Sequence, residues 1–568
     1  MRSGVIAILC GVLLVTACAT PPASTRSGSE APGPAVRSSS SPTRLTIAIR
    51  SDPKALASKL NSAAGAGGAP GADEIEQMLN NGLAVETKAG GIFPQLAEAV
   101  PTVENGLWKL LPDGRMETSY RIREGAQWHD GTPFTADDVL FTAKVEQDRD
   151  LPVFRNVAHA NIDAVESSDP RTLIIRWSRP FIQADRMFTN ALGMPMPRHL
   201  LEKTYLEDKE NLPNLGYWTR EFVGTGPYKL REFTAGSGVV LEANERYVLG
   251  RPKIDQVSVR FILDPGTIGA NILAGEVDMN MGGRLSIEWG AQIQSQWRDG
   301  RLVLEVTRSM ITAYPQFINP NPAIQAEAQF RRALLHAVDR QQILDSLNSG
   351  YGHLAHAVIS PTHAEWGDVE SSVVKFDYDP QRAGQLIQGL GYTRAADGVF
   401  RDAAGQRLQL EVRTTANDDG QMKTMASAAD FWQQAGIGVD QVASPPQRAQ
   451  DREYRATRPA LEIVRQPNGV KDLSRLYGGN TPLPENDFTG VNRSRHRNPE
   501  FDALIDRFLV TIPREERMAV LRPIVHYVSD QAIILGMFWD PGPTMISNRV
   551  KNATEPSDVW DIHTWEVS

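Results

Sequence analysis

Three histidines crowd one short stretch, His353, His356 and His363, in the run Gly350-Tyr-Gly-His-Leu-Ala-His-Ala-Val-Ile-Ser-Pro-Thr-His363. Neutral imidazole is a good ligand for nickel or zinc, so the spacing raises a metal hypothesis. A second cluster, Arg493-Ser-Arg-His-Arg497, could attract an anionic group. Standing just ahead of the helix start Asn498-Pro499, it reads rather as a solvated loop. Catalytic signatures are missing: there is no Gly-x-Ser-x-Gly, no His-Glu-x-x-His, and no Gly-x-Gly-x-x-Gly after a strand. No spacing isolates a carboxylate pair for acid and base work. The glycine-rich run at 63–72 lacks the Gly-Lys-Ser/Thr ending of a phosphate loop and reads as a surface loop. The chemistry therefore points to binding rather than catalysis, with no cofactor and no resident metal assigned.

The elements that must position such groups are well signalled. Tyr120 and Ile122 alternate with Arg121 and Arg123 at strand period, and Glu124-Gly125 and Asp130-Gly131 supply turns with positive φ. Thr135 can then cap a helix, with Asp138 three residues on as its reciprocal partner. Val257 and Val259 alternate with polar neighbours as a strand should, whereas residues 326–347 and 513–528 carry apolar residues at helical spacing. Asp379-Pro380 gives an N-cap and a proline at the first helical position, and Gly391 can close that helix. Phe431-Trp432 before Gly436 repeats this punctuation. Strands and helices alternate without a strict repeat, which predicts a mixed α/β architecture.

The N-terminal residues speak of location. Arg2 precedes the apolar run at 5–15, which is too short to span a bilayer, and Leu14-Val-Thr-Ala-Cys18 resembles a bacterial lipobox. Residues 1–17 are thus expected to be a signal peptide and Cys18 a lipidated N-terminus, with an ordinary secretory cut near Ala23 as the alternative. Several acyl chains would anchor the protein on a membrane without crossing it. Residues 18–43 are rich in Pro, Ser, Thr, Ala and Gly and read as a disordered tether. Cys10 and Cys18 are the only cysteines, so no disulfide is expected in the folded part. With 568 residues the chain can build more than one core. Its formal charge of −9 argues against nucleic acid as a partner.

One family shares the order of these signals. Ile92-Phe-Pro-Gln-Leu-Ala-Glu98 leads to the block at 120–141, and Gly224-Thr-Gly-Pro-Tyr-Lys-Leu230 is followed by Leu241-Glu-Ala-Asn-Glu-Arg-Tyr247, Gly250-Arg-Pro252 and Ala274-Gly-Glu-Val-Asp278. Phe330-Arg-Arg-Ala-Leu334 with Ala337-Val-Asp-Arg340, then Asp379-Pro380, Asn498-Pro-Glu-Phe-Asp502 and Trp560-Asp-Ile-His-Thr-Trp-Glu-Val567 complete the series. Singly each is weak. Together they resemble, across nearly the whole chain, the extracytoplasmic solute-binding proteins of the oligopeptide and dipeptide type, family five, which deliver ligands to ABC importers.

That resemblance implies a two-lobed periplasmic-binding-protein-like α/β fold with an enlarged first lobe and a ligand cleft between lobes. The first lobe would hold residues 44–305 and 536–568, the second 306–535, with candidate hinges at 302–306 and 533–538. It implies an extracytoplasmic, membrane-anchored monomer that binds a peptide or other small solute and hands it to a permease and its ATPase. A receptor for a metal chelate or saccharide, and a sensing or envelope lipoprotein, are the alternatives. By the same resemblance the histidine run is a glycine-rich loop after the second lobe's first helix. Cleft residues are expected at Tyr314, Phe317 and Asn319, at His353 and His356, and at Asn468 and Asp472. Peptide-binding relatives usually hold the ligand's ammonium on an aspartate where this chain reads Arg465-Gln-Pro-Asn-Gly-Val-Lys-Asp472. A neutral Asn468 is a weaker anchor there, and Asp472 is the nearest following carboxylate.

Overall fold

Two parallel β units are joined by a pair of long antiparallel strands. The computed structural model describes residues 42–61, 69–283, 285–416, 418–445, 448 and 451–568. The expected signal peptide, Cys18, the tether up to residue 41 and most of the 63–72 run lie outside the described residues. At one end of an eleven-stranded sheet, Arg44–Ile49 lies parallel to both Gln256–Phe261 and Met279–Met281. At the other end, Gln409–Thr415 lies parallel to Gly438–Ser444 and Leu461–Pro467. Parallel neighbours need a crossover, which helix Asp419–Gln434 provides between the first two of these. Between the two ends, Gly300–Pro315 pairs antiparallel with Leu535–Ser547, with a register shift between Val306 and Met310. A separate four-stranded antiparallel sheet holds Trp108–Leu110, Met116–Arg121, Thr172–Trp177 and Ile162–Asp169. The expected mixed α/β fold is present. Both candidate hinge runs belong to the two joining strands, except Ile533 and Ile534, which precede the second.

Each end has its own core. Val257 and Val259 are buried with Leu45 and Ile47 in the first, and Phe330, Leu410 and Trp432 in the other. A third apolar cluster runs from the four-stranded sheet, through Tyr120 and Phe188, to Val464 and Phe501 of the far half and Trp539 of the second joining strand. This cluster makes the boundary between the halves a packed surface.

Several local signals are realised as the sequence predicts. Gly131 sits at φ 94°, and the Thr135 amide donates to Asp138 Oδ2 at 2.9 Å at the start of helix Ala136–Gln147. Asp379 accepts from the Arg382 amide at 2.8 Å to open helix Pro380–Gly389, with Gly391 at φ 88° beyond its end. Gly224-Thr-Gly226 is tied to helix Ala72–Leu79. A Cβ on Gly224 would stand 2.0 Å from the Leu79 carbonyl oxygen, and one on Gly226 2.5 Å from the Leu79 carbonyl carbon. Only glycine permits that approach. The space so gained holds a buried polar network. Thr225 Oγ1 bonds Asn80 Oδ1 and accepts from the Asn81 amide, the Tyr247 hydroxyl donates to Asn81 Oδ1, and His129 bridges the Gly224 amide and the Gly226 carbonyl.

The long helical pattern at 326–347 is corrected. It forms two helices, Ala328–His336 and Arg340–Asn348, because Asp339 caps the second by accepting from the Gln342 amide at 2.8 Å. Helical spacing continues across the break because both helices face one core, so periodicity alone did not reveal it. Among the described residues no helix is long and apolar enough to cross a membrane.

Candidate functional site

Strand alternation builds one wall of the site. Along Gly300–Pro315, Ile311 and Ala313 enter the far core, so Met310, Thr312 and Tyr314 face the other way, toward the cluster shared with the four-stranded sheet. In the neighbouring strand Gln466, Val464 and Glu462 stand opposite these three, and Trp539 of the other joining strand stands opposite Met310. The wall is therefore an aromatic and polar sheet face, backed by an apolar core.

The groups on and around this wall are heavily buried and charged. Glu462 accepts from Arg493 Nη1 at 2.9 Å. Burial would raise its carboxyl, but Arg493, Arg458 and Arg455 hold it below the usual carboxylate range. With its amide oxygen turned toward Arg493, Gln466 accepts from Nη2 at 2.9 Å. Tyr314 is fully buried, which raises its hydroxyl pKa, and the Asn468 side chain, whose Nδ2 donates to the Gln466 carbonyl at 3.2 Å, lies beside that hydroxyl. Asp472 lies beside it, with Oδ1 on Arg475 Nε at 3.2 Å.

The facing side comes from the first half. Glu86, 7% exposed, accepts from Lys471 Nζ of the far half at 2.7 Å and lies 3.5 Å from Arg186 Nε. Arg186 pairs with Asp185 at 2.9 Å. Burial raises the Asp185 carboxyl, against the pull of Arg186 and of Arg517 from the far half. Burial also opposes the charge on Arg186, yet Asp185, Glu86 and Glu365 together raise its pKa. Five buried atoms in this region have no hydrogen-bond partner: Thr312 Oγ1, Trp539 Nε1, Arg186 Nε, Asp472 Oδ2 and Glu365 Oε2. Arg186 Nε and Glu365 Oε2 keep ion-pair contacts at 3.5 and 3.6 Å, with Glu86 and His363, whereas Thr312 Oγ1, Trp539 Nε1 and Asp472 Oδ2 are left with nothing, and a buried polar atom left unpaired costs about 1–3 kcal/mol. A solute carrying both donors and acceptors can satisfy them; an apolar one cannot.

The structure gathers some of the expected residues and scatters others. Tyr314, Asn468 and Asp472 come together on the wall. Phe317 lies past the end of the strand and lines a different cavity, within the far half. Asn319 is an exposed turn residue at φ 51°. His353 is exposed, on the short strand His353–Leu354 that pairs with Trp539 and Phe538. His356 accepts from Arg340 Nη2 at 3.3 Å, and burial with that neighbouring charge lowers its pKa to about 4. His363 stands 3.6 Å from Glu365. Among the described residues no three His, Cys, Asp or Glu side chains are grouped to hold a metal ion. The solvated-loop reading of Arg493–Arg497 is also corrected: Ser494, Arg495 and His496 are buried, because the loop tucks its side chains against backbone carbonyls and helix ends.

Sequence reasoning missed Thr312, Trp539, Glu86, Arg186, Glu365 and Lys471. Thr312 was two residues from Tyr314 and on its face, so alternation could have found it. Trp539 directly follows the apolar run 533–538. For Glu86 no local signal exists, since its partners Arg186 and Lys471 lie far away in sequence, and the neighbouring Asp185-Arg186 pair reads as an ordinary charged dipeptide.

The profile of the bacterial extracellular solute-binding proteins, family 5 (middle region), matches residues 92–484. Oligopeptide-binding protein AppA of Bacillus subtilis is 26% identical over 345 residues, 60% of this chain and 59% of that one. The chain thus spans between half and three fifths of the first curated relatives it matches. Heme-binding protein A of Haemophilus influenzae is 25% identical over 501 residues, 84% of each chain. In structure, the ABC transporter substrate-binding protein CtaP of Listeria monocytogenes superposes with a TM-score of 0.74 at 20% identity, covering 92% of this chain and 99% of its own.

Proposed function

The chain belongs to family 5 of the bacterial extracellular solute-binding proteins, and from that premise we propose that it holds a peptide at the boundary between its two lobes and delivers it to an ABC importer. The observation that carries this reading is the set of unpartnered donors and acceptors on that boundary. A peptide offers both kinds of group along its backbone and at its termini. Asp472 Oδ2, with Asn468 beside it, would take the ammonium; Trp539 Nε1 would take a carbonyl or carboxylate oxygen. The oligopeptide-binding relative supports the ligand class.

In this proposal the first lobe spans residues 44–305 and 536–568, the second spans 306–535, and they close about the paired strands Gly300–Pro315 and Leu535–Ser547. Cys18 carries the lipid that anchors a monomer outside the cytoplasmic membrane, and an ABC permease with its ATPase receives the solute. The wide match to a protein named for haem favours one second reading, a non-peptide solute in the same place.

Mass spectrometry of ligand released from natively purified protein separates the two readings. Peptides carrying free amino termini are expected. With the identified peptide, Asp472→Asn should weaken binding about tenfold or more by titration calorimetry, because a charge-assisted bond is lost, while the thermal melt stays as in the wild type. A chelate or tetrapyrrole in place of peptides, or full affinity in the variant, would overturn the peptide assignment.

A further inference from the structure

The cavity that Phe317 lines has a volume of about 490 Å³. Its walls are Phe317, Arg331, Arg495, His496, Arg497 and Tyr527, with small apolar and amide neighbours and no carboxylate. All of these residues lie between 317 and 531, so the cavity is walled by the far half; Phe317 and Tyr527 also pack against the third apolar cluster, and none of the unpartnered boundary atoms is among its walls. In a protein of formal charge −9, three guanidinium groups around one cavity is a concentrated positive field.

Two of those charges are buried. Arg331 and Arg495 are 3% and 5% exposed, and their bonds go to backbone carbonyls: Arg331 to Gln325, Ala326, Gln531 and Ala532, Arg495 to Pro482 and Ala456. Neutral carbonyls satisfy donors without cancelling charge. Among the described residues neither these two nor Arg497 lies within ion-pair distance of a carboxylate, in contrast to Arg493 two positions earlier, which holds Glu462. Buried charges are ordinarily paired. Arg331 alone would pass for a clamp on helix ends; three unpaired cations at one cavity do not.

His496 adds an independent observation. It is 8% exposed, and its Nδ1 has no hydrogen-bond partner while Nε2 lies 3.2 Å from the Tyr527 hydroxyl. When that hydroxyl donates to Nε2, the proton of the neutral ring sits on Nδ1, an unused donor in the cavity wall. The rest of the wall is aromatic: the His496 ring meets Phe317 edge-on at 4.9 Å, and the Arg331 guanidinium lies over Phe317 at 4.4 Å.

We propose that this cavity is a second ligand site, taking a small organic anion whose carboxylate meets Arg495, His496 and Arg497 and whose flat apolar body rests on Phe317 and Tyr527. The volume suits a ligand of that size. Benzoate is the probe, with benzyl alcohol as its neutral counterpart and inorganic phosphate as an anion without a body. In titration calorimetry on the purified protein, benzoate should bind at least about tenfold more tightly than either. Arg497→Gln changes an exposed side chain and should weaken benzoate about tenfold, Arg497→Lys should retain most of the affinity, and Asp472→Asn at the lobe boundary should leave it unchanged. Equal binding of benzoate and benzyl alcohol would overturn the proposal, as would Arg497→Gln binding like the wild type. Phosphate binding as tightly as benzoate would overturn the organic ligand, and loss of benzoate binding in Asp472→Asn would move the site to the boundary.

Discussion

Two buried polar regions of this protein look alike by composition and differ in one respect. Around Gly224-Thr-Gly226 the buried side chains of Asn80, Asn81, Thr225, His129 and Tyr247 bond one another and the backbone. At the lobe boundary Thr312, Trp539, Arg186, Asp472 and Glu365 each keep a buried atom that makes no hydrogen bond. The first arrangement is complete and therefore structural: it locks helix Ala72–Leu79 to the strands behind it. The second is incomplete within the protein's own groups, which is what makes it the candidate site. Single unpartnered atoms such as Trp128 Nε1 and Tyr228 Oη occur elsewhere in the scaffold, so what distinguishes the second region is that donors and acceptors of this kind gather at one boundary.

The sharpest way to break the first region is Gly224→Ala. The added Cβ would meet a backbone carbonyl oxygen at 2.0 Å, where no side chain can rotate away. A loss of about 4 kcal/mol or more, or failure to express in soluble form, is expected. An unshifted urea midpoint would show that the loop yields to the added methyl group at little cost.

Acid should attack the same network. His129 uses Nδ1 to accept from the Gly224 amide and Nε2 to donate to the Gly226 carbonyl, which requires the neutral ring. Burial accordingly lowers its pKa from 6.5 to about 4. Below pH 6.5 the unfolded chain takes up a proton that the folded one refuses, so stability is full above 6.5 and falls as the pH drops toward 4. For this one buried group the loss reaches about 3 kcal/mol. Relative to the wild type, His129→Gln should start lower and decline less over that window; parallel curves would assign the acid sensitivity elsewhere.

A matched pair of substitutions tests the comparison itself. Thr225→Val strands the Asn80 and Asn81 groups that the hydroxyl serves, and should cost about 2 kcal/mol. Thr312→Val removes a hydroxyl that serves nothing in the unliganded chain, so stability should stay level or rise while solute affinity falls. Equal destabilisation by both would erase the distinction between the two regions.

The sequence-level signals were strongest where the structure is complete. The Gly224 block, the Asp379-Pro380 helix start and the Thr135–Asp138 reciprocal cap are local: each is a few adjacent residues whose types dictate φ or a cap. They reveal the fold and family but belong to scaffold. The boundary was only partly legible. Tyr314, Asn468 and Asp472 came through position in the family pattern, and they do stand together. Phe317 and Asn319 did not join them, because the strand ends at Pro315 and the chain turns away. Glu86, Arg186 and Glu365 gave no signal, since their significance exists only once segments far apart in sequence are packed. The Arg493–Arg497 loop was misread for a related reason. Charge in a sequence implies solvent unless backbone carbonyls stand ready to receive it, and only the fold shows where those carbonyls are.

The smallest expected effect concerns the link across the boundary. Lys471 reaches from the far half to Glu86 of the first at 2.7 Å, with Lys471 29% and Glu86 7% exposed. A partly exposed pair contributes less than about 1 kcal/mol, since one partner keeps much of its hydration. In the proposed function lobe closure is an equilibrium between two populations, and on that reading even this amount shifts it measurably. Lys471→Met removes the bridge but leaves Glu86 near Arg186, which prevents a bare buried carboxylate. Without solute, the variant should scatter X-rays with a slightly larger radius of gyration than the wild type. High salt should narrow the difference, because the screened bridge then contributes little in either protein. With saturating solute both should close to the same radius. If the unliganded radii agree at low salt, Lys471 and Glu86 are packing neighbours rather than a latch, and the unpaired boundary groups alone govern closure.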